Sequence, residues 1–333
     1  MQKIISIVLP TYNRVSYLKE TLVHFKEQLE RNIDSVEMIV CNNASTDNTE
    51  SMLRDYNNSS SFFRYLNYEE NVAIGLSIKR AISNAEGKYV LLWGDDDLPS
   101  PLMIDTLLFY INKYPDAGLI HFNRLFGYSS DSKSLSSLRI QKINYVCGSI
   151  KYNELSEFIS TYFLDTSFLS SILFLRDGWI KGSEIDPSKH YGYEFLSPIY
   201  YGLKEKPIVY ISYPLLIQRI PLGRSWINMS PYYRFIGIPN MLNDFQKWGL
   251  IKDAKNIWMK QANNILSFLI IIPQASLDKK IYRPLIKEIN SHQSTFLRKS
   301  LVYLFILIFP SKLYIIIRKI FINRKQRKII GDE

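Results

Sequence analysis

Short apolar runs rich in β-branched residues alternate with segments of helical period through the first third of the chain, and this alternation constrains the fold most. Ile4–Leu9 reads as a buried strand, stopped by Pro10, which has no N–H to give a ladder. Val15–Leu29 then sets Val15, Leu18, Leu22, Phe25 and Leu29 on one helical face. Val36–Cys41 is a second strand. The polar turn after it puts Ser45 or Thr46 at a cap position, ahead of a helix to about Tyr56 with Asp47, Asn48 and Glu50 at its start. A strand at Phe62–Leu66 and a helix at Val72–Ala85, ended by Gly87, follow. A strand at Tyr89–Trp93, a helix at Met103–Asn112 stopped near Pro115, and a strand at Gly118–Phe122 complete the series. The pattern predicts an α/β fold: a mainly parallel sheet with helices on both faces.

In such sheets ligands gather at the carboxyl ends of the strands. Polar clusters follow Leu9, Cys41 and Trp93 at those ends, and the last contains the acidic triplet Asp95-Asp96-Asp97. Three adjacent carboxylates repel one another unless a cation compensates them. Hard divalent ions, Mg²⁺ or Mn²⁺, prefer such oxygen ligands and commonly take one or two carboxylates plus substrate phosphates. The alternative is a solvated acidic turn capping a helix.

Four blocks in order, SIVLPTYNR, IVCNNASTDNTE, EENVAIG and RAISNAEGKYVLLWGDDDLPSP, resemble the family 2 glycosyltransferases of GT-A (Rossmann-like) fold over residues 4–122. The resemblance is nearest to the abequosyltransferase-like branch of O-antigen sugar transferases, where a Gly precedes the acidic group. It implies that Pro10, Thr11, Tyr12 and Asn13 face the nucleotide's base and ribose, and that Asn71 and Arg80 lie near the donor. Asn42 stands where many relatives carry an Asp; an amide both donates and accepts, which favours cytosine over uracil or thymine, unless Asn42 only shapes the turn. Gly94 replaces a customary Asp, so the resemblance makes Asp96 the leading metal ligand, with Asp97 supporting it and Asp95 toward the donor. It also implies displacement at the anomeric carbon with inversion, a departing nucleoside diphosphate, and a general base in the second half. Glu194, in the stretch His190–Glu194, is the first candidate and His190 the second; a helix-start carboxylate and a surface histidine are the plain alternatives. Arg219 and Arg224, in a basic loop with Gly223 and Trp226, are candidates to grip a pyrophosphate.

The second half is less regular. Residues 123–225 are rich in Tyr and Phe, as an acceptor half would be, and Pro231–Ser267 reads as an amphipathic helix. We therefore expect a GT-A domain over 1–225 (donor half 1–122, acceptor half 123–225), a helical region over 226–295 and a tail over 296–333. Net charge is +10, and nine basic residues with no acidic ones lie between Arg298 and Lys328, so the basicity belongs to the tail. Its apolar runs, Leu301–Phe309 and Leu313–Ile317, are far short of the ~20 residues that span a bilayer. Interleaved with Arg and Lys, they suit helices lying in anionic headgroups; packing into the core or an oligomer contact is the alternative.

The two cysteines, Cys41 and Cys147, make neither a metal-ligand spacing nor a disulfide framework, and the first apolar run is too short for a secretory leader. The expected setting is the cytoplasmic face of the inner membrane, held peripherally. The expected partners are a nucleotide-sugar donor, a lipid-linked oligosaccharide acceptor and anionic lipid; a homo-oligomer is open, and no nucleic-acid motif accompanies the tail. Two rivals remain: a nucleotidyltransferase, disfavoured because no glycine-rich phosphate loop follows the first strand, and a non-catalytic sugar-nucleotide-binding protein at the membrane.

Overall fold

The computed structural model describes residues 3–59, 62–128, 139–141, 148–220 and 236–262. The expected tail over 296–333, most of the region 226–295, Arg224 and Cys147 lie outside the described residues. These fall into two compact units: residues up to 187 with 192–220 and 245–252, and residues 188–191, 236–244 and 253–262.

The first unit is built on a 10-stranded sheet. Its leading strands are β1 (Ile5–Thr11), β2 (Val36–Asn42), β3 (Arg64–Asn67) and β4 (Tyr89–Leu92). They pair in parallel in the order β3-β2-β1-β4. Between them run α1 (Val15–Arg31), α2 (Thr49–Ser59) and α3 (Ile74–Ser83). The sheet continues through β5 (Leu98–Pro99), β6 (Leu119–Tyr128), β7 (Arg139–Gln141), β8 (Ser149–Tyr152), β9 (Ile172–Leu175) and β10 (Ile208–Ile220). Here it is mixed rather than mainly parallel: β6 and β10 run parallel, but β9 is antiparallel to both β4 and β6, and β5 and β8 are antiparallel to β10. An apolar run buried on both faces reads the same in either direction, so the pattern of Ile172–Leu175 holds no information on polarity.

Helices α4 (Met103–Lys113), α5 (Leu155–Thr166), α6 (Arg176–Gly182) and α7 (Leu196–Gly202) also belong to the first unit, so the described residues after 122 are more regular than their composition implies. The core lies between the sheet and α1 and α4, where Leu18, Leu22, Phe25, Leu29, Met103, Ile104 and Leu107 are buried. The Phe25 and Trp93 rings meet edge to face at 5.0 Å. Each such side chain contributes roughly 1.5–3 kcal/mol by burial.

Three local expectations are revised. Gly87 does not end a helix: α3 stops at Ser83, and Gly87 is small because a Cβ there would meet Ser6 N at 2.6 Å. Asp47, not Ser45 or Thr46, closes the start of α2, accepting the N–H of Thr49 at 3.1 Å. Where a single helix is expected over Pro231–Ser267, the described residues 236–262 hold two, α8 (Ile238–Lys247) and α9 (Ala254–Ala262). Gly249 at φ +72° ends α8, its N–H donating to Gln246 O and that of Leu250 to Phe245 O, the paired closure that favours glycine.

Candidate active site at the strand ends

Parallel pairing brings three strand ends abreast. Pro10 and Thr11 lie opposite Cys41 and Asn42, and Val8 lies opposite Leu92, just before Trp93 and the triplet. The turn of the triplet is closed by Asp97 N–H donating to Gly94 O at 3.3 Å and supported by Trp93 Nε1–H donating to Asp97 O at 3.2 Å. From α1, the Thr21 hydroxyl lies 2.9 and 3.1 Å from the carbonyl oxygens of Asp95 and Asp97.

The three carboxylates point three ways. Asp95 Oδ2 accepts from Thr11 Oγ1 at 2.7 Å. Asp97 turns inward, accepting from Ser170 Oγ at 2.5 Å, while the same oxygen accepts Gly94 N–H at 2.8 Å. Asp96 faces outward. Its Oδ2 lies 2.6 Å from Arg14 Nη1, which is also 3.8 Å from Asp95 Oδ1. One cationic nitrogen therefore serves an oxygen of the exposed Asp96 and one of the largely buried Asp95. Burial pushes the Asp95 carboxyl up to about 7, with Arg14 pulling it back and Asp96 adding repulsion. Burial also holds Asp97 well above the usual carboxylate range, with Asp96 adding to the effect.

Arg219, a candidate to grip the donor, sits behind the triplet instead. It is buried, donating from Nε to Asp96 O, from Nη1 to Glu20 and from Nη2 to Tyr17 O at 3.2 Å, with its guanidinium 5.0 Å from the Tyr17 ring centre. It ties β10 to α1 and fixes the backbone on which Asp96 is carried. Ser170, Thr21 and Arg14 were invisible to motif reading as partners of the triplet, although Arg14 closes the first sequence block. Only the fold brings Ser170, 73 positions away, onto Asp97.

The other candidate donor residues form a hydrogen-bonded rim. Pro10 is buried within β1, and the Tyr12 ring is exposed. Asn13 has φ +53°, in the left-handed region that Asn tolerates, and its Oδ1 accepts the N–H groups of Thr46 and Asp47 at 2.7 and 3.3 Å. Both polar ends of Asn42 are engaged within the fold: Oδ1 accepts Ser45 N–H at 3.1 Å and Nδ2 donates to Asn67 Oδ1 at 3.0 Å. Asn71 accepts from Asn43 Nδ2 at 2.8 Å. Arg80 lies over the Tyr68 ring at 5.1 Å and donates to Glu70 O at 3.3 Å.

The two base candidates are differently placed. Glu194 belongs to the first unit, against the start of α3, where a Cβ on Gly75 would stand 3.4 Å from its Oε2. That oxygen is buried and makes no hydrogen bond among the described residues. His190 belongs to the second unit and is not a surface residue: its ring is buried, with Nε2 3.0 Å from Asp244 Oδ2.

Among the described residues, no group of three or more His, Cys, Asp or Glu side chains could hold a metal ion unaided. The oxygens of Asp95 and Asp96 that meet at Arg14 nonetheless suit a hard divalent ion that completes its shell with phosphate and water. Asp96 and the Asp95 oxygen beside it would be the residues to hold such an ion, since Asp97 is turned to Ser170.

Residues 6–170 match the family described as Glycosyl transferase family 2. The chain carries a family 2 glycosyltransferase domain. Among curated relatives, the glycosyltransferase domain is 32% identical over 114 residues to abequosyltransferase RfbV of Salmonella typhimurium, 34% of each chain. It is 28% identical over 173 residues to glycosyltransferase GlyG of Streptococcus pneumoniae, 49% of this chain and 56% of that one. The chain spans about a third of the length of the first such relatives. The fold is shared with S. aureus TarS in complex with UDP-GlcNAc, at TM-score 0.60 and 15% identity over 87% of this chain and 83% of that one. It is shared too with the mannosyltransferase PcManGT from Pyrobaculum calidifontis in complex with GDP-Man and Mn²⁺, at TM-score 0.51 and 14% identity over 100% and 89%. Those likenesses carry the GT-A architecture of the glycosyltransferase domain.

Proposed function

We propose that the protein moves a sugar, with inversion, from a nucleoside-diphosphate sugar to a lipid-linked glycan in bacterial surface polysaccharide synthesis (O-antigen or capsule). The observation that carries this reading is the pair Asp95 and Asp96 after the end of β4, abreast of the β1 and β2 ends, with oxygens of both facing one guanidinium. Mg²⁺ or Mn²⁺ bound there would neutralise charge on the departing diphosphate. Arg219 and Thr21 hold the Asp96 and Asp95 backbone, so the carboxylates are positioned before the donor arrives. Pro10, Thr11, Tyr12, Asn13, Asn42 and Asn71 would border the nucleoside. Glu194, with one buried oxygen that makes no hydrogen bond among the described residues, suits a general base that takes the proton of an acceptor hydroxyl.

The lipid-linked acceptor and the peripheral site on the cytoplasmic membrane face rest on the composition of residues 296–333 and on likeness to an abequosyltransferase. No helix among the described residues is long and apolar enough to cross a membrane. The deciding experiment is donor turnover by the purified full chain across UDP-, GDP-, CDP- and dTDP-sugars, with and without Mn²⁺. We expect metal-dependent release of one nucleoside diphosphate; no turnover from any donor refutes the enzyme. Full-length protein should also bind anionic vesicles and a chain lacking 296–333 should not; equal binding moves the membrane contact elsewhere.

A further inference from the structure

We propose that Arg14 is a displaceable stand-in for the divalent cation, holding Asp95 and Asp96 together until that cation takes its place. The proposal rests on reading the triplet as the diphosphate end of the donor site.

Among the described residues two arginines serve the triplet, and they are bound very differently. Arg219 is buried and locked by Asp96 O, Glu20 and Tyr17 O. Among the described residues, Arg14 holds Asp96 Oδ2 at 2.6 Å and Asp95 Oδ1 at 3.8 Å and otherwise lies over the Tyr17 ring at 5.6 Å. The Arg14 side chain is 22% exposed and that of Asp96 23%, so solvent and solute reach this pair. The Arg14 backbone is anchored, by contrast. On one side Asn13 is bonded to Ser45, Thr46 and Asp47, and on the other Val15 N–H donates to Asp47 Oδ2 at 3.2 Å. A fixed stem with a loosely held head can yield without disturbing the fold.

The two cations compete for the same oxygens. Asp96 Oδ1 turns back toward Gly94, where a Cβ would stand 3.5 Å from it, leaving Oδ2 as the outward ligand that Arg14 occupies. A divalent ion would bind such an oxygen at about 2.0–2.1 Å, too close to share it with a guanidinium nitrogen in the same space. Charge favours the exchange: a divalent ion brings two positive charges to Asp96 and Asp95 where the Arg14 guanidinium brings one. Once displaced, the guanidinium is free to pair with the arriving diphosphate, whose oxygens match its forked donors.

The test is Mn²⁺ binding to the full-length, donor-free protein, followed by electron paramagnetic resonance. Arg14→Gln should bind Mn²⁺ about fivefold more tightly than wild type, the weight of one partly exposed charge pair, and Arg14→Lys should stay near wild type. With Mn²⁺ present, Arg14→Gln should bind inorganic pyrophosphate more weakly. In the wild-type protein, Mg²⁺ should shift the Arg14 Nε–Hε resonance, identified by its loss in Arg14→Lys, and leave that of Arg219 in place. Equal or weaker Mn²⁺ binding by Arg14→Gln, or an Arg14 resonance unmoved by bound Mg²⁺, overturns the proposal and leaves the metal-site reading standing. Pyrophosphate binding unchanged in Arg14→Gln overturns the transfer of Arg14 to the diphosphate. Absence of Mn²⁺ binding in wild type and variant alike removes both.

Discussion

Ser170 Oγ donates to Asp97 Oδ2 at 2.5 Å while accepting Gly94 N–H at 2.8 Å, so one hydroxyl fastens both ends of the acidic turn. Ser170→Ala should lower stability by about 1–3 kcal/mol, because it strands a buried carboxyl and a backbone N–H. The sign of its pH dependence follows from Asp97, which burial raises well above its unfolded value. A raised carboxyl contributes stability that is complete below the unfolded value and lost as pH rises through the folded one. The deficit of Ser170→Ala should therefore be larger at pH 8 than at pH 5, measured by urea denaturation of the metal-free protein; a flat difference would mean that Asp97 does not titrate with folding.

Asp96 and Asp97 are neighbours with opposite exposures, and their substitutions should separate. Asp96→Asn, at the outward carboxylate, should lower metal-dependent turnover by about 100-fold or more with little change in stability. Asp97→Asn should act chiefly on stability, since its partner is the buried Ser170. Donor turnover and thermal melting on the same preparations decide it; equal loss of turnover in both would assign the two carboxylates one role.

Glu194→Gln keeps the shape of the side chain and removes its ability to take a proton. We expect kcat to fall by about 10²–10⁴-fold while donor binding, measured by calorimetry, is retained. Wild-type kcat in the variant would transfer the base role elsewhere.

Cys41 is buried at the end of β2, and desolvation raises its thiol to about 11. At pH 8 it is protonated and shielded, so alkylation by iodoacetamide at Cys41, followed by peptide mass spectrometry, should be slow until denaturant is added. Rapid native labelling of Cys41 would show that the β2–β3 edge opens readily.

Much of the first half was legible from period and punctuation. The strands ending at Thr11, Asn42 and Leu92 and the helices at Val15–Arg31 and Met103–Lys113 lie within a few residues of where the apolar pattern puts them, because a buried face repeats along each element. The acidic triplet at the end of a buried strand was equally visible, since three adjacent carboxylates stand out in composition. Strand direction was not, because a fully apolar run such as Ile172–Leu175 looks alike from both ends, and β9 entered antiparallel. Nor could spacing reveal that Asp97 faces inward to Ser170, that Arg219 backs the triplet rather than meeting a ligand, or that Arg14 faces Asp95 and Asp96. Those relations join residues 73 to 123 positions apart. Local sequence sets which segments can bury a face. Which way each carboxylate turns depends on partners that only the packed sheet brings within hydrogen-bonding reach, where desolvation makes every unpaired polar group costly.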